Sequence, residues 1–261
     1  MKQPVVVIGI GELGAVFARG LLRSGHPVYP VTRERDMDKE ADSLPDPALV
    51  LLAVAEKDLH NTLAAIPAAW RERAALLQNE LLPRDWQGVG LQEPTVISVW
   101  FEKKKGMDSK VLLPSPVFGP GADLLKQALE SVDIPVRRLA DAGELLFELV
   151  VKNVYILTTN IAGLVVGGSV SELWRNHESF AREVAGEVID IQEYLCGVPF
   201  ERESLIKGML AAFGGDPQHG CMGRSAPARL QRALAIADEA GLAVARLRAI
   251  AEDRVDSVAG G

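Results

Sequence analysis

The 261-residue chain carries 28 Lys and Arg against 35 Asp and Glu, a formal charge of −7. With no basic arm or stripe, this balance argues against a nucleic-acid partner. Hydrophobic residues make up 48% of the chain, enough to bury a substantial core and, at this length, to fill two domains. Two cysteines, Cys196 and Cys221, and four scattered histidines (His26, His60, His177 and His219) give neither a disulfide framework nor metal-ligand spacing.

In chain order, the apolar run Pro4–Ile8 predicts a buried parallel strand. It is too short, and too soon interrupted by glycines, for a signal peptide. The turn Gly9-Ile10-Gly11-Glu12-Leu13-Gly14 follows at once and leads into the helical pattern Ala15–Leu22. A Gly-x-Gly-x-x-Gly between a strand and a helix points the helix's first amides at a pyrophosphate, so a dinucleotide site is expected here. The alternative is a structural glycine turn.

A second strand, His26–Val31, ends in Thr32-Arg33-Glu34-Arg35. NAD sites carry an acidic residue there, about twenty residues past the glycines, to hold the ribose 2′-hydroxyl. Arg33 occupies that place, and a guanidinium fork suits a 2′-phosphate, which favours NADP(H). Glu34 is the rival, since a one-residue shift in register would restore an NAD-type acid.

Asp36–Pro47 is polar and short for a full crossover, so a loop is allowed there. Ala48–Val54 predicts the third strand, with Ala53 at its end, and a helix starts in Asp58–Ile66. Ala74–Gln78 predicts a strand ending at Asn79. Thr95–Phe101 and Lys110–Leu113 alternate as later sheet strands, and the basic run Lys103-Lys104-Lys105 between them is a solvated hairpin loop. A helix over Ala122–Val132 and a strand over Pro135–Leu139 complete an α/β half.

From Ala142 strand signals disappear. Helices are expected over Gly143–Gly163, Ser171–Cys196, Glu201–Phe213, Ala226–Ala240 and Leu242–Val258. The longest apolar stretch, Val154–Val166, contains Asn160 and is too short to span a bilayer. The expected architecture is an N-terminal Rossmann-type dinucleotide-binding domain, residues 1–141, followed by an all-helical domain, 142–261, for substrate and dimerisation. A cytoplasmic protein is expected.

Ligands of open parallel sheets lie outside the carboxyl ends of the strands. Asn79 stands at such an end and is either a cofactor-facing residue or a turn residue. Lys152 interrupts an apolar helix, and Asn160, two turns on, shares its face. A lysine beside a carboxamide can orient a carbonyl and donate a proton to it as hydride arrives. The alternative is a lysine snorkelling beside Glu148.

These residues give the chain a resemblance, divergent but covering most of its length, to the ketopantoate reductases (2-dehydropantoate 2-reductases). It rests on Gly9-x-Gly11-x-x-Gly14, on Ser24-Gly25-His26-x-Val28 with Arg33, on Gln78-Asn79, and on Lys152 with Asn160. The resemblance implies that Arg33 recognises the 2′-phosphate of NADPH and that Asn79 lies at the cofactor–substrate junction. It implies Lys152 as the general acid and Asn160 as a residue that helps hold the substrate. Cofactor contacts are then expected from Gly9, Ile10, Gly11, Glu12, Leu13, Gly14, Thr32, Arg33, Ala53 and Asn79.

The chain departs from that family at several points. Asn79-Glu80 replaces an Asn-Gly pair, and Ile156 replaces a substrate-binding asparagine. Glu56, with Lys57 beside it, stands where a basic residue is expected. The late stretch Gly223–Arg229 lacks the family's glutamate; Arg224 and Ser225 there suit an anionic substrate, or equally a loop charge and a helix cap. The implied function is an NADPH-dependent oxidoreductase acting on the carbonyl of a small 2-oxo acid. The alternative is a catalytically inactive NADP-binding regulatory or interaction protein.

Overall fold

A computed structural model describes residues 2–259, with side chains through Asp253. The chain divides into two compact units, Met1–Leu149 and Val150–Gly261.

In the first unit, β1 (Val5–Ile8) leads into α1 (Glu12–Arg23), β2 (Val28–Val31), α2 (Met37–Ser43) and β3 (Leu49–Leu52). Then come α3 (Leu59–Ala64), β4 (Ala74–Leu76), α4 (Pro83–Gln87) and β5 (Thr95–Ile97). These five strands lie in the order β2-β1-β3-β4-β5, and all pair in parallel. β6 (Phe101–Glu102) and β7 (Lys110–Val111) form a separate antiparallel hairpin. β8 (Ser115–Phe118) returns antiparallel to β5, α5 (Ala122–Glu130) follows, and β9 (Val136–Arg138) pairs parallel with β8 to close the seven-stranded sheet.

The inner strands β1, β3, β4 and β5 are short but buried along their whole length, as in a sheet covered on both sides. Val5, Val7, Leu49 and Leu51 share one core with Phe17 and Leu21 of α1 and Leu125 and Leu129 of α5. Trp70, wholly buried on a 3-10 turn packed against β3, donates its indole N–H to the Leu44 carbonyl at 2.8 Å. Each such buried side chain contributes roughly 1.5–3 kcal/mol of transfer free energy. That is enough for three- and four-residue strands to hold their register.

Three sequence expectations need correction, and one strand was not foreseen. Lys110–Leu113 adds no strand to the seven-stranded sheet, since Lys110–Val111 pairs with Phe101–Glu102 in the separate hairpin. The polar stretch after β2 is a helix, α2, started by Asp36, whose carboxylate accepts from the Asp38 amide. Thr95–Phe101 is not one strand: the sheet strand ends at Ile97, and Phe101 belongs to the hairpin. The strand β8 was hidden by its proline, which lacks a ladder donor. Pro116 still serves the sheet through its carbonyl, which accepts from the Ser98 amide at 2.9 Å.

The second unit is built from helices. α6 (Ala142–Val166) runs into it from the first unit, so the division falls inside this helix while the change in sequence character begins at its first residue. α7 (Val170–Cys196) is kinked at His177 and packs against α8 (Arg202–Gly215), α9 (Ala226–Ala240) and α10 (Ala245–Ala259). A capping box sets the start of α7: Ser169 accepts from the Glu172 amide, and Glu172 accepts from the Ser169 amide. α6 is long and apolar enough to cross a membrane, but 78% of its most apolar window is buried within the protein.

Candidate functional site

The parallel strands end in register: Ile8 lies opposite Val31 on one side and Leu52 on the other, and Leu52 lies opposite Leu76. Strand order reverses between β1 and β3, and this is the switch point at which doubly wound sheets bind ligands. The glycine turn leaves β1 there, with Ala53 directly across from it. The Gly9 amide donates to the Val31 carbonyl at 3.0 Å, and the Ala53 amide to the Ile8 carbonyl at 2.8 Å.

The three glycines have three different surroundings. Gly9 has φ +91°, and a Cβ on it would approach the Ala53 carbonyl oxygen to 2.8 Å. On Gly14 a Cβ would lie 2.1 Å from the Gly9 carbonyl oxygen, so this glycine lets α1 pack onto β1. Gly11 is the N-cap of α1, offers no side-chain cap, and has no atom within 4 Å of where its Cβ would stand. The first intrahelical bond runs from the Ala15 amide to the Gly11 carbonyl. The amides of Glu12, Leu13 and Gly14 thus sit in the first turn, ahead of any intrahelical partner. Tight turn, open approach and close packing are the three roles a dinucleotide fingerprint asks of its glycines.

Thr32 and Arg33 follow β2 and are exposed, as is Glu34. The Arg33 guanidinium lies 3.2 Å from the Asp58 carboxylate, on the 3-10 turn Glu56–Asp58 after β3. At the end of β4, Gln78 is buried: its amide nitrogen donates to the Leu52 carbonyl at 2.6 Å, and its oxygen accepts from the Leu77 amide at 3.1 Å. This fixes the strand end that presents Asn79 to solvent. Glu80 then adopts φ +59°, the left-handed conformation that an Asn-Gly pair would take without strain.

In the second unit, Lys152 is half-buried on α6 between the buried Val151 and Asn153. Asn153 donates to Gln192 of α7 at 2.9 Å. Glu148 is engaged by Arg137. Asn160 is buried, and its amide nitrogen donates to the Ile156 carbonyl at 2.9 Å while its oxygen accepts from the Arg229 guanidinium at 3.2 Å. Arg229 is itself only 9% exposed. Arg224 and Ser225 are exposed, and Ser225 stands at the N-cap of α9 without capping it through its side chain. Burial, with Glu172 adding to it, pushes the Cys221 thiol up to about 11, so it is inert as a nucleophile at neutral pH.

The first unit therefore gathers Gly9 to Gly14, Thr32, Arg33, Ala53 and Asn79 at neighbouring strand ends, and the second carries Lys152 and Asn160 on one helix. Sequence reasoning missed Asp58 beside Arg33, and it missed Arg229. An arginine in a surface helix pattern reads as solvated, and its burial against Asn160 is a long-range contact.

Compared by sequence, the chain matches no family model and no curated protein. Its fold is that of a known class of solved structures, a Rossmann-type domain followed by a helical one. A 2-dehydropantoate 2-reductase from Methylococcus capsulatus is 15% identical and aligns over 98% of this chain and 97% of its own, with a TM-score of 0.69. A PanE/ApbA family ketopantoate reductase from Ralstonia eutropha JMP134 is 16% identical over 96% of each chain, with a TM-score of 0.67. A D-mandelate dehydrogenase in complex with NADH is 13% identical over 97% of each chain, with a TM-score of 0.63.

Proposed function

We propose that this chain is a nicotinamide-dinucleotide-dependent oxidoreductase that reduces the carbonyl of a small 2-oxo acid, with NADPH as the hydride donor. The observation that carries this reading is the glycine turn, open only at Gly11 and placed at the switch point of the sheet. Structures of the same fold support its coarser part: two are named as ketopantoate or 2-dehydropantoate reductases, and a D-mandelate dehydrogenase carries NADH.

The residues present fit such a cofactor. The first amides of α1 and the clear space over Gly11 would take the pyrophosphate. Thr32 and Arg33 would meet the adenosine ribose and its 2′-phosphate, and Ala53 and Asn79 would border the remainder. When bound, the dinucleotide supplies hydride to the carbonyl carbon. Lys152 would hold the carbonyl oxygen and give it a proton, so that the product is a 2-hydroxy acid. Asn160, held by Ile156 and Arg229, would fix the substrate's orientation.

NADPH oxidation followed across a panel of 2-oxo acids tests the proposal. Turnover with at least one member is the expected result. Tight NADPH binding without turnover on any of them would replace it with a regulatory NADP-binding protein, the reading favoured by Ile156 and the missing glutamate.

A further inference from the structure

The basic run Lys103-Lys104-Lys105 lies at the end of β6 and begins the loop of the β6–β7 hairpin. Its lysines differ in their surroundings. Lys105 is exposed, and Lys104 pairs with Glu102 at 3.5 Å. The Lys103 side chain is only 22% exposed, and its ammonium lies 3.5 Å from the Glu12 carboxylate. It also donates to the carbonyls of Lys104, at 3.0 Å, and Met107. Glu12 is the first residue of α1 and part of the glycine turn itself.

A carboxylate on the first turn of a helix favours the helix's positive end. At this turn it also opposes any phosphate bound to the same amides. Lys103 offsets that charge and sets a cation, held by two carbonyls, beside the residue that follows Gly11. We propose that Lys103 is a phosphate-facing residue of the dinucleotide site, parked on Glu12 and taken over by the pyrophosphate when a dinucleotide binds. The proposal rests on the dinucleotide reading above. It assigns the hairpin a role as a strap beside the glycine turn. Because the ammonium is already held in place, little side-chain freedom is lost when the phosphate arrives.

The test is the NADPH dissociation constant of the full chain, measured by nucleotide fluorescence for wild type, Lys103→Gln, Lys103→Arg, Glu12→Gln and Lys105→Gln. Lys103→Gln should weaken binding by about tenfold or more, the scale of one lost charge-assisted hydrogen bond. Lys103→Arg should keep most of the affinity. Glu12→Gln should tighten binding, because it removes the rival anion, and Lys105→Gln should leave it unchanged. ADP, which keeps two phosphates and lacks the nicotinamide, should follow the same order. Melting of the apo proteins reports whether each variant folds, and the Glu12→Gln result stands even where Lys103→Gln does not. Equal NADPH affinity in wild type and Lys103→Gln, an equal loss in Lys105→Gln, or weaker binding in Glu12→Gln would overturn the role of Lys103 and leave the dinucleotide site standing. Failure of the wild type to bind any dinucleotide would overturn both.

Discussion

Gly14 and Gly9 approach so closely that a Cβ on Gly14 would lie 2.1 Å from the Gly9 carbonyl oxygen, a contact no side chain can make. Two residues of one motif therefore have opposite tolerances. Gly14→Ala must push α1 off β1 and should cost about 1–3 kcal/mol, the range for overpacking a well-filled core. Gly11→Val meets open space and an extended backbone, so the apo melting temperature should barely move. The valine would occupy the room the pyrophosphate needs, and NADPH binding should be lost. Thermal melting and nucleotide titration on both variants separate the two effects.

The Arg33–Asp58 pair bears on cofactor choice. Both partners keep solvent contact, with the arginine side chain 87% exposed. An ion pair of that kind is worth at most about 1 kcal/mol. Arg33 is thus free to exchange Asp58 for a 2′-phosphate. Arg33→Asp should narrow or reverse a preference for NADPH over NADH, and Asp58→Asn should sharpen it by removing a competing anion. Equal wild-type affinities for the two nucleotides would end the NADP assignment.

Glu80 holds φ +59° at the turn after Asn79. A left-handed conformation costs a non-glycine residue roughly 1–2 kcal/mol, and part of that is recovered by the lower entropy loss of a side-chain-bearing residue. Glu80→Gly should therefore stabilise the protein by about 1 kcal/mol or less, seen as a small rise in melting temperature. A clear fall would mean that interactions of the glutamate outweigh the strain.

How much of this was legible varies with the range of the interactions. The strand–turn–helix at Val5–Arg23 could be read because β-branched residues, glycines and helical spacing all agree within a few residues. α2 could not, since Met37–Ser43 buries only Ala41 and offers almost no apolar stripe. β8 was hidden by Pro116, whose carbonyl, rather than its absent N–H, serves the sheet. The partners of Lys103 and Arg229, Glu12 and Asn160, lie far away in the chain. No local pattern encodes such pairs, so a solvated loop and a surface helix were the natural readings.

The capping box of α7 sets a pH dependence. The Ser169 amide, then its hydroxyl, donates to Glu172 and holds that carboxyl below its ordinary value. A depressed acid adds stability above its unfolded value and loses it as pH falls through the folded one. Glu172→Gln should lower the melting temperature at neutral pH, and the gap to wild type should close in acid, below the ordinary carboxylate range. Ser169→Ala should cost about 1 kcal/mol, as for other lost N-caps. A gap that stays constant with pH would rule out Glu172 as its source.

Lys152 decides between a reductase and a protein that only binds dinucleotide. It is half-buried on α6 among apolar neighbours, and Asn160 lies two turns further along the helix. Glu148, the residue beside which a merely structural lysine would snorkel, is engaged by Arg137. If Lys152 protonates the carbonyl oxygen, Lys152→Ala removes both the proton donor and a cation that holds the substrate. Turnover should then fall on the order of a hundredfold or more, the usual scale for general acid catalysis. NADPH affinity should change little, because the expected phosphate contacts all come from the first unit. Lys152→Arg would keep the charge but bind its proton too firmly to give it up, so it should retain substrate affinity better than turnover. A lysine serving only to cover apolar surface would behave otherwise: Lys152→Ala would shift stability by a few tenths of a kcal/mol and leave kcat and KM as they were. Steady-state kinetics of the two variants, with NADPH titration as the control, separates these outcomes.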